Sequence, residues 1–135
     1  MPVKNGSILV LDDEFDIVNP IKQSMGKIGL HVYAFTDPFL ALEHFRINCK
    51  NYNLVISDIR MPGMSGFEFV QKIKEINPAI KVLLMSAFEI NSGELSAGLG
   101  EAKIEGFIQK PISLHELNNL IQEHIHGLAY NKTKS

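Results

Sequence analysis

Four short apolar runs in this chain end in side chains that carry chemistry. Ser7-Ile8-Leu9-Val10-Leu11 runs into Asp12-Asp13, and Asn53-Leu54-Val55-Ile56-Ser57 runs into Asp58. Lys81-Val82-Leu83-Leu84-Met85 ends at the hydroxyl of Ser86, and Gly106-Phe107-Ile108-Gln109 ends at Lys110-Pro111. A run that is apolar without alternation suits a strand covered on both faces, as in a parallel sheet with helices on either side. Parallel strands point the same way, so their carboxyl ends lie together. Three carboxylates, one hydroxyl and one ammonium would then converge at one edge of the sheet.

The segments between the runs read as helices. Ile17, Ile21, Met25 and Ile28 recur at helical spacing after the first run, with Gly29 placed to end the helix. Pro20 falls inside that pattern and predicts a kink or a late start. His31 to Phe35 reads as a further strand. Thr36-Asp37-Pro38 opens a helix through about Phe45, and a polar loop spans Asn48 to Asn53. After the loop Met61-Pro62-Gly63-Met64-Ser65-Gly66, a helix carries Phe67, Val70 and Ile73 and closes at Asn77-Pro78.

Between Phe88 and Gly106 four glycines interrupt the pattern, Gly93, Gly98, Gly100 and Gly106. Each interior glycine costs a helix up to about 1 kcal/mol relative to alanine, so a short or mobile helix is expected there. The last helix opens on the capping box Ser113-Leu114-His115-Glu116, turns Leu114, Leu117, Ile121 and Ile125 to one side, and ends near Gly127. One domain over residues 1–128 is expected, with 129–135 a polar tail or linker stub.

Composition narrows the classes. At 135 residues with 45% hydrophobic and 21% charged residues, the chain has the make-up of one globular domain. A net charge of -2 supplies no basic field for direct nucleic-acid binding. No apolar stretch approaches the roughly 18 residues of a membrane span, and no signal-peptide segment opens the chain. The single cysteine, Cys49, suits a reducing compartment, so a cytoplasmic location is expected. His31, His44, His115, His124 and His126 show no metal-ligand spacing.

Crowded carboxylates repel one another and require positive charge nearby. Magnesium is suited to that task, being a hard cation that prefers oxygen. Lys110 adds a compact second charge able to reach a phosphate oxygen. A carboxylate beside a metal can attack phosphorus to give an aspartyl phosphate, with the cations neutralising charge on the transferring group.

At Asp12-Asp13-Glu14, Asp58-Ile59-Arg60-Met61-Pro62-Gly63-Met64-Ser65-Gly66, Ser86-Ala87 and Lys110-Pro111 the chain resembles the receiver domains of two-component response regulators. The resemblance covers about residues 6 to 126. It implies a flavodoxin-like, doubly wound α/β fold: a five-stranded parallel sheet in the order 2-1-3-4-5 with five helices. It implies that Asp58 accepts a phosphoryl group from a sensor histidine kinase or phosphotransfer protein, and that the domain itself catalyses transfer and dephosphorylation. Magnesium would be held by Asp12, Asp13, Asp58 and the backbone carbonyl of Arg60. Ser86 and Lys110 would contact the phosphoryl oxygens, and Ser86 with Phe107 would switch the face offered to an output domain or effector protein. The chain departs from the usual receiver in a longer segment between Ser86 and Lys110 and in Ile112 after the proline. Arg60 and Phe88, bulky and each two residues beyond a site residue, are expected to slow hydrolysis.

Three other readings share some of these features. A phosphatase of the aspartate-nucleophile type needs a second acid two residues after the nucleophile, where this chain has Arg60. A nucleotide- or flavin-binding module needs a first loop rich in Gly, Ser or Thr, where this chain has Asp12-Asp13-Glu14. A protein-binding module working without phosphorylation would have no use for the full acid set.

Overall fold

In the computed structural model, which describes residues 3–125, every apolar run becomes a strand. The order along the chain is β1 (Ser7–Leu11), α1 (Phe15–Lys27), β2 (Val32–Phe35), α2 (Pro38–Asn48), a 3-10 turn (Cys49–Asn51), β3 (Tyr52–Asp58), α3 (Gly66–Ile76), β4 (Lys81–Ser86), α4 (Ser92–Leu99), β5 (Gly106–Gln109) and α5 (Leu114–Ile125). The five strands are all parallel and lie in the order β2-β1-β3-β4-β5, the flavodoxin-like order. Gly127 and the proposed boundary at residue 128 lie outside the described residues.

Strand side chains alternate between two cores. Leu9, Leu11, Val55, Val82 and Leu84 face Ala41, Leu42 and Phe45 of α2 and Phe69, Val70 and Ile73 of α3. Ile8, Val10, Leu54, Ile56, Leu83, Met85 and Ile108 face Val18, Ile21 and Met25 of α1 and Leu117 and Ile121 of α5. Burial on both faces is why Ile8–Leu11, Leu54–Ile56 and Val82–Met85 are unbroken apolar stretches.

Several sequence expectations shift by one to three residues. In α1 the buried stripe is Val18, Ile21 and Met25, whereas Ile17 is half-buried and Ile28 caps the helix with 45% exposure. The helix starts at Phe15, ahead of Pro20, so the proline is accommodated inside it. Pro20 and Asp16, whose carbonyl would have been its partner, are both exposed, and water can meet the freed carbonyl. In α3 the fully buried aromatic is Phe69, while Phe67 is half-buried. In α5 Leu114 holds the first position and is 41% exposed; only Leu117 and Ile121 are buried. α2 runs on to Asn48, three residues beyond the expected Phe45.

Caps fall where expected. Asp37 accepts from Phe39 N–H at the start of α2, with Pro38 in the first turn. Ser113 Oγ accepts from Glu116 N–H at 3.0 Å and donates to its carboxylate at 3.1 Å. α4 is eight residues long and opens on a box the sequence reading missed, in which Asn91 and Glu94 cap each other's backbone.

Candidate functional site

β1, β3, β4 and β5 end side by side, and residues at and just beyond their ends build one recess. Its volume is about 150 Å³, and it is lined by Asp13, Glu14, Asp58, Arg60, Ser86, Ala87, Phe88 and Lys110. Asp12 lies beneath, with no exposed surface; Asp58 and Ser86 are also buried, and Asp13 is exposed.

Carboxylate oxygens of Asp12, Asp13 and Asp58 all lie within 4.8 Å of one another. Lys110 reaches across them from the end of β5. Its Nζ is 2.6 Å from Asp12 Oδ2 and 3.2 Å from Asp58 Oδ1. The other Asp12 oxygen, Oδ1, accepts from Glu14 N–H at 3.0 Å, which pins the buried carboxylate. Burial pushes the Asp58 carboxyl up to about 6, the charge of Asp12 adds to the push, and Lys110 works against it. Burial alone would lower Lys110, but its hydrogen bond to Asp12 and the charges of Asp12 and Asp58 outweigh that and hold it above its ordinary value. The site is an acid cluster short of positive charge. Its donors are all oxygen, and two of the three acids are buried, a set that fits a hard divalent cation such as magnesium.

Ser86 Oγ accepts from Phe88 N–H at 3.0 Å, so the hydroxyl keeps its own proton to donate elsewhere. The Ser86 carbonyl is held from β5, accepting from Lys110 N–H at 2.8 Å and from the side-chain amide of Gln109 at 3.1 Å. Phe107 pairs in register with Leu84 and packs half-buried against the core on the α2–α3 side. Arg60 and Phe88 meet over the recess, the guanidinium carbon 4.1 Å from the ring centroid. They were picked out separately from the sequence, but nothing in it revealed that they touch.

Gly66 is a further residue whose part was missed. A Cβ there would come within 2.2 Å of the Asp58 carbonyl oxygen and 2.8 Å of Ile59 Cα. Only glycine lets the first turn of α3 close under the backbone that carries Asp58, and Gly66 N–H donates to Ile59 O at 2.7 Å. Cys49, His44, His115 and His124 lie away from the recess.

A doubly wound parallel α/β domain with a buried acid cluster and a lysine at the strand ends is the class that fold and site define. The profile of the response regulator receiver domain matches residues 8–122, and the chain belongs to that family of two-component signalling domains. Over 124 residues it is 27% identical to sporulation initiation phosphotransferase F of Bacillus subtilis, covering 90% of this chain and 94% of that protein. Over 119 residues it is 29% identical to a phosphoglycerate transport system transcriptional regulatory protein of Salmonella typhimurium, covering 87% of this chain but only 27% of the relative. A solved response regulator of Thermotoga maritima, in complex with magnesium and a beryllium fluoride, superposes with a TM-score of 0.73 at 28% identity, over 87% of this chain and 97% of that one. Among the described residues no helix is long and apolar enough to cross a membrane.

Proposed function

We propose that this receiver domain is switched by phosphorylation of Asp58, with a sensor histidine kinase or phosphotransfer protein as donor. The observation that carries the reading is the Lys110 ammonium set between Asp12 and Asp58 in a cluster whose three acids lie within 4.8 Å. Magnesium would be held by Asp12, Asp13, Asp58 and the Arg60 backbone carbonyl, and would supply charge neutralisation during transfer. The Thermotoga protein, solved with magnesium and a beryllium fluoride, supports magnesium as the cation.

Asp58 Oδ attacks phosphorus in line. The new P–O bond forms as the P–N bond to the donor imidazole breaks, and the bonding pair leaves with that nitrogen. Lys110 keeps Asp58 ionised before transfer and afterwards meets a phosphoryl oxygen. Ser86, its acceptor side engaged by Phe88 N–H, donates its O–H to another. The same groups carry the domain's own transfer and hydrolysis chemistry. Phosphorylation turns one negative charge at Asp58 into nearly two. Drawing Ser86 toward that charge shifts the segment after it and the neighbouring Phe107, so the face offered to an output domain or effector changes.

The test is labelling of the intact chain by acetyl phosphate, read by mass spectrometry. Label should require magnesium, vanish with a chelator and be absent from Asp58→Asn. Persistence of the label in Asp58→Asn would overturn the assignment.

A further inference from the structure

The two residues proposed to meet the phosphoryl group, Ser86 and Lys110, sit on different strands. One side chain outside the recess ties their backbones together. Gln109 ends β5 opposite Ser86 in register. Its amide Nε2 donates to Ser86 O at 3.1 Å and to Lys110 O at 3.3 Å. The residue is exposed, on the far side from Asp58, where it borders a cleft with Glu89, Ile90, Asn91 and Glu94 at the start of α4.

We infer that Gln109 is a positioning residue for the phosphoryl-binding pair, acting by holding the Ser86 and Lys110 carbonyls on one amide group. The backbone bond from Lys110 N–H to Ser86 O joins the two strand ends but leaves the Lys110 carbonyl without a partner from it. The Lys110 carbonyl leads into Pro111, which has no N–H, so the chain turns away there without a ladder bond of its own. Gln109 supplies a donor shared by both carbonyls. With it in place the Ser86 hydroxyl and the Lys110 ammonium keep a fixed spacing as the phosphoryl group arrives. Without it the spacing rests on the single backbone bond from Lys110 N–H to Ser86 O, and capture weakens. The inference rests on the phosphoryl-binding roles proposed for Ser86 and Lys110, and it goes beyond them in naming what holds the two together.

The test compares Gln109→Met, of similar length without a donor, Gln109→Lys, which restores donors, and Gln109→Glu, which sets a carboxylate against two carbonyls. Affinity for beryllofluoride is read by ¹⁹F NMR on the full chain, and magnesium affinity by calorimetry. Gln109→Met should lower beryllofluoride affinity by about 3- to 10-fold, the factor a neutral hydrogen bond contributes. Gln109→Lys should recover most of the loss, and Gln109→Glu should bind worst. Magnesium affinity, which depends on the acids, should stay within about twofold throughout. In the metal-free protein the carbonyl ¹³C shifts of Ser86 and Lys110 should move in Gln109→Met and return in Gln109→Lys. Wild-type affinity in Gln109→Met, or equal loss of magnesium and beryllofluoride binding, would overturn the inference and leave the reading of Asp58 standing. If the wild-type chain captures no beryllofluoride, both fall together.

Discussion

Asp58→Asn should make the metal-free domain more stable at pH 7, and the gain should vanish in acid. The folded chain raises the Asp58 carboxyl from 3.8 to about 6, first by burial and then by the charge of Asp12. A raised carboxyl means the fold favours the protonated form. Its contribution is fully present below the unfolded value near 3.8 and is lost as pH climbs through about 6. Above that point the protein holds an anion it would rather not ionise. Two pKa units correspond to about 3 kcal/mol if nothing screens the charge. The Asp58 side chain is 9% exposed and opens on the recess, so water offsets part of this and about 1–2 kcal/mol is expected. Asparagine keeps the shape and drops the charge. Lys110 is not orphaned by the change, because Asp12 still holds it at 2.6 Å. Urea unfolding of both proteins in chelator, followed by circular dichroism from pH 3.5 to 8, gives the difference directly, because titrating groups that do not interact with Asp58 cancel between them. The variant should gain from about pH 4 to a little above 6 and level off beyond. A difference that stays flat over this range would refute the electrostatic reading of the site.

Other expectations follow from single contacts. The Arg60 guanidinium lies 4.1 Å over the Phe88 ring and covers the recess, so replacing both with alanine should speed loss of phosphate from Asp58 by about 3- to 10-fold, followed by mass spectrometry after donor removal; an unchanged rate removes them from the account. Gly66→Ala puts a methyl 2.2 Å from the Asp58 carbonyl, and since the obstacle is backbone, a loss of about 1–3 kcal/mol in urea unfolding is expected, with slower labelling of Asp58. Wild-type stability and labelling would show that α3 shifts freely.

The sheet and its acids were legible because in a parallel α/β fold the last residue of an apolar run is also its place in space. Asp12, Asp58, Ser86 and Lys110 are therefore readable from position alone. The helices were harder. In α1 two stripes compete, one through Ile17 and Ile28 and one through Val18, and only packing against β1 and β3 selects Val18. The pair Phe67 and Phe69 poses the same choice in α3, and the core takes Phe69. Contacts between distant loops were not legible at all. Gln109 reads as one more polar residue before a lysine, and Gly66 as a loop glycine, until their carbonyl partners are in place.

The glycines of α4 show how a local rule is reversed by packing. Propensity counts Gly98 as a weakness worth up to about 1 kcal/mol, to be repaired by alanine. In the fold a Cβ at Gly98 would come within 2.5 Å of Phe67 Cδ2 and 2.6 Å of its Cγ, atoms near the root of the ring that cannot swing clear. Gln71 Nε2 also donates to Gly98 O at 2.7 Å, so α4 is drawn onto α3 at the point where it lacks a side chain. Overpacking costs about 1–3 kcal/mol, which exceeds the propensity gain. Gly98→Ala should therefore destabilise the domain by about 1–2 kcal/mol. Gly26, exposed near the end of α1 with nothing within 4 Å of its missing Cβ, is the control. Alanine there should stabilise by about 0.5–1 kcal/mol. Opposite signs at two helical glycines in one urea series would tie α4 to α3 by close approach; a gain at both would mean that propensity alone governs this segment.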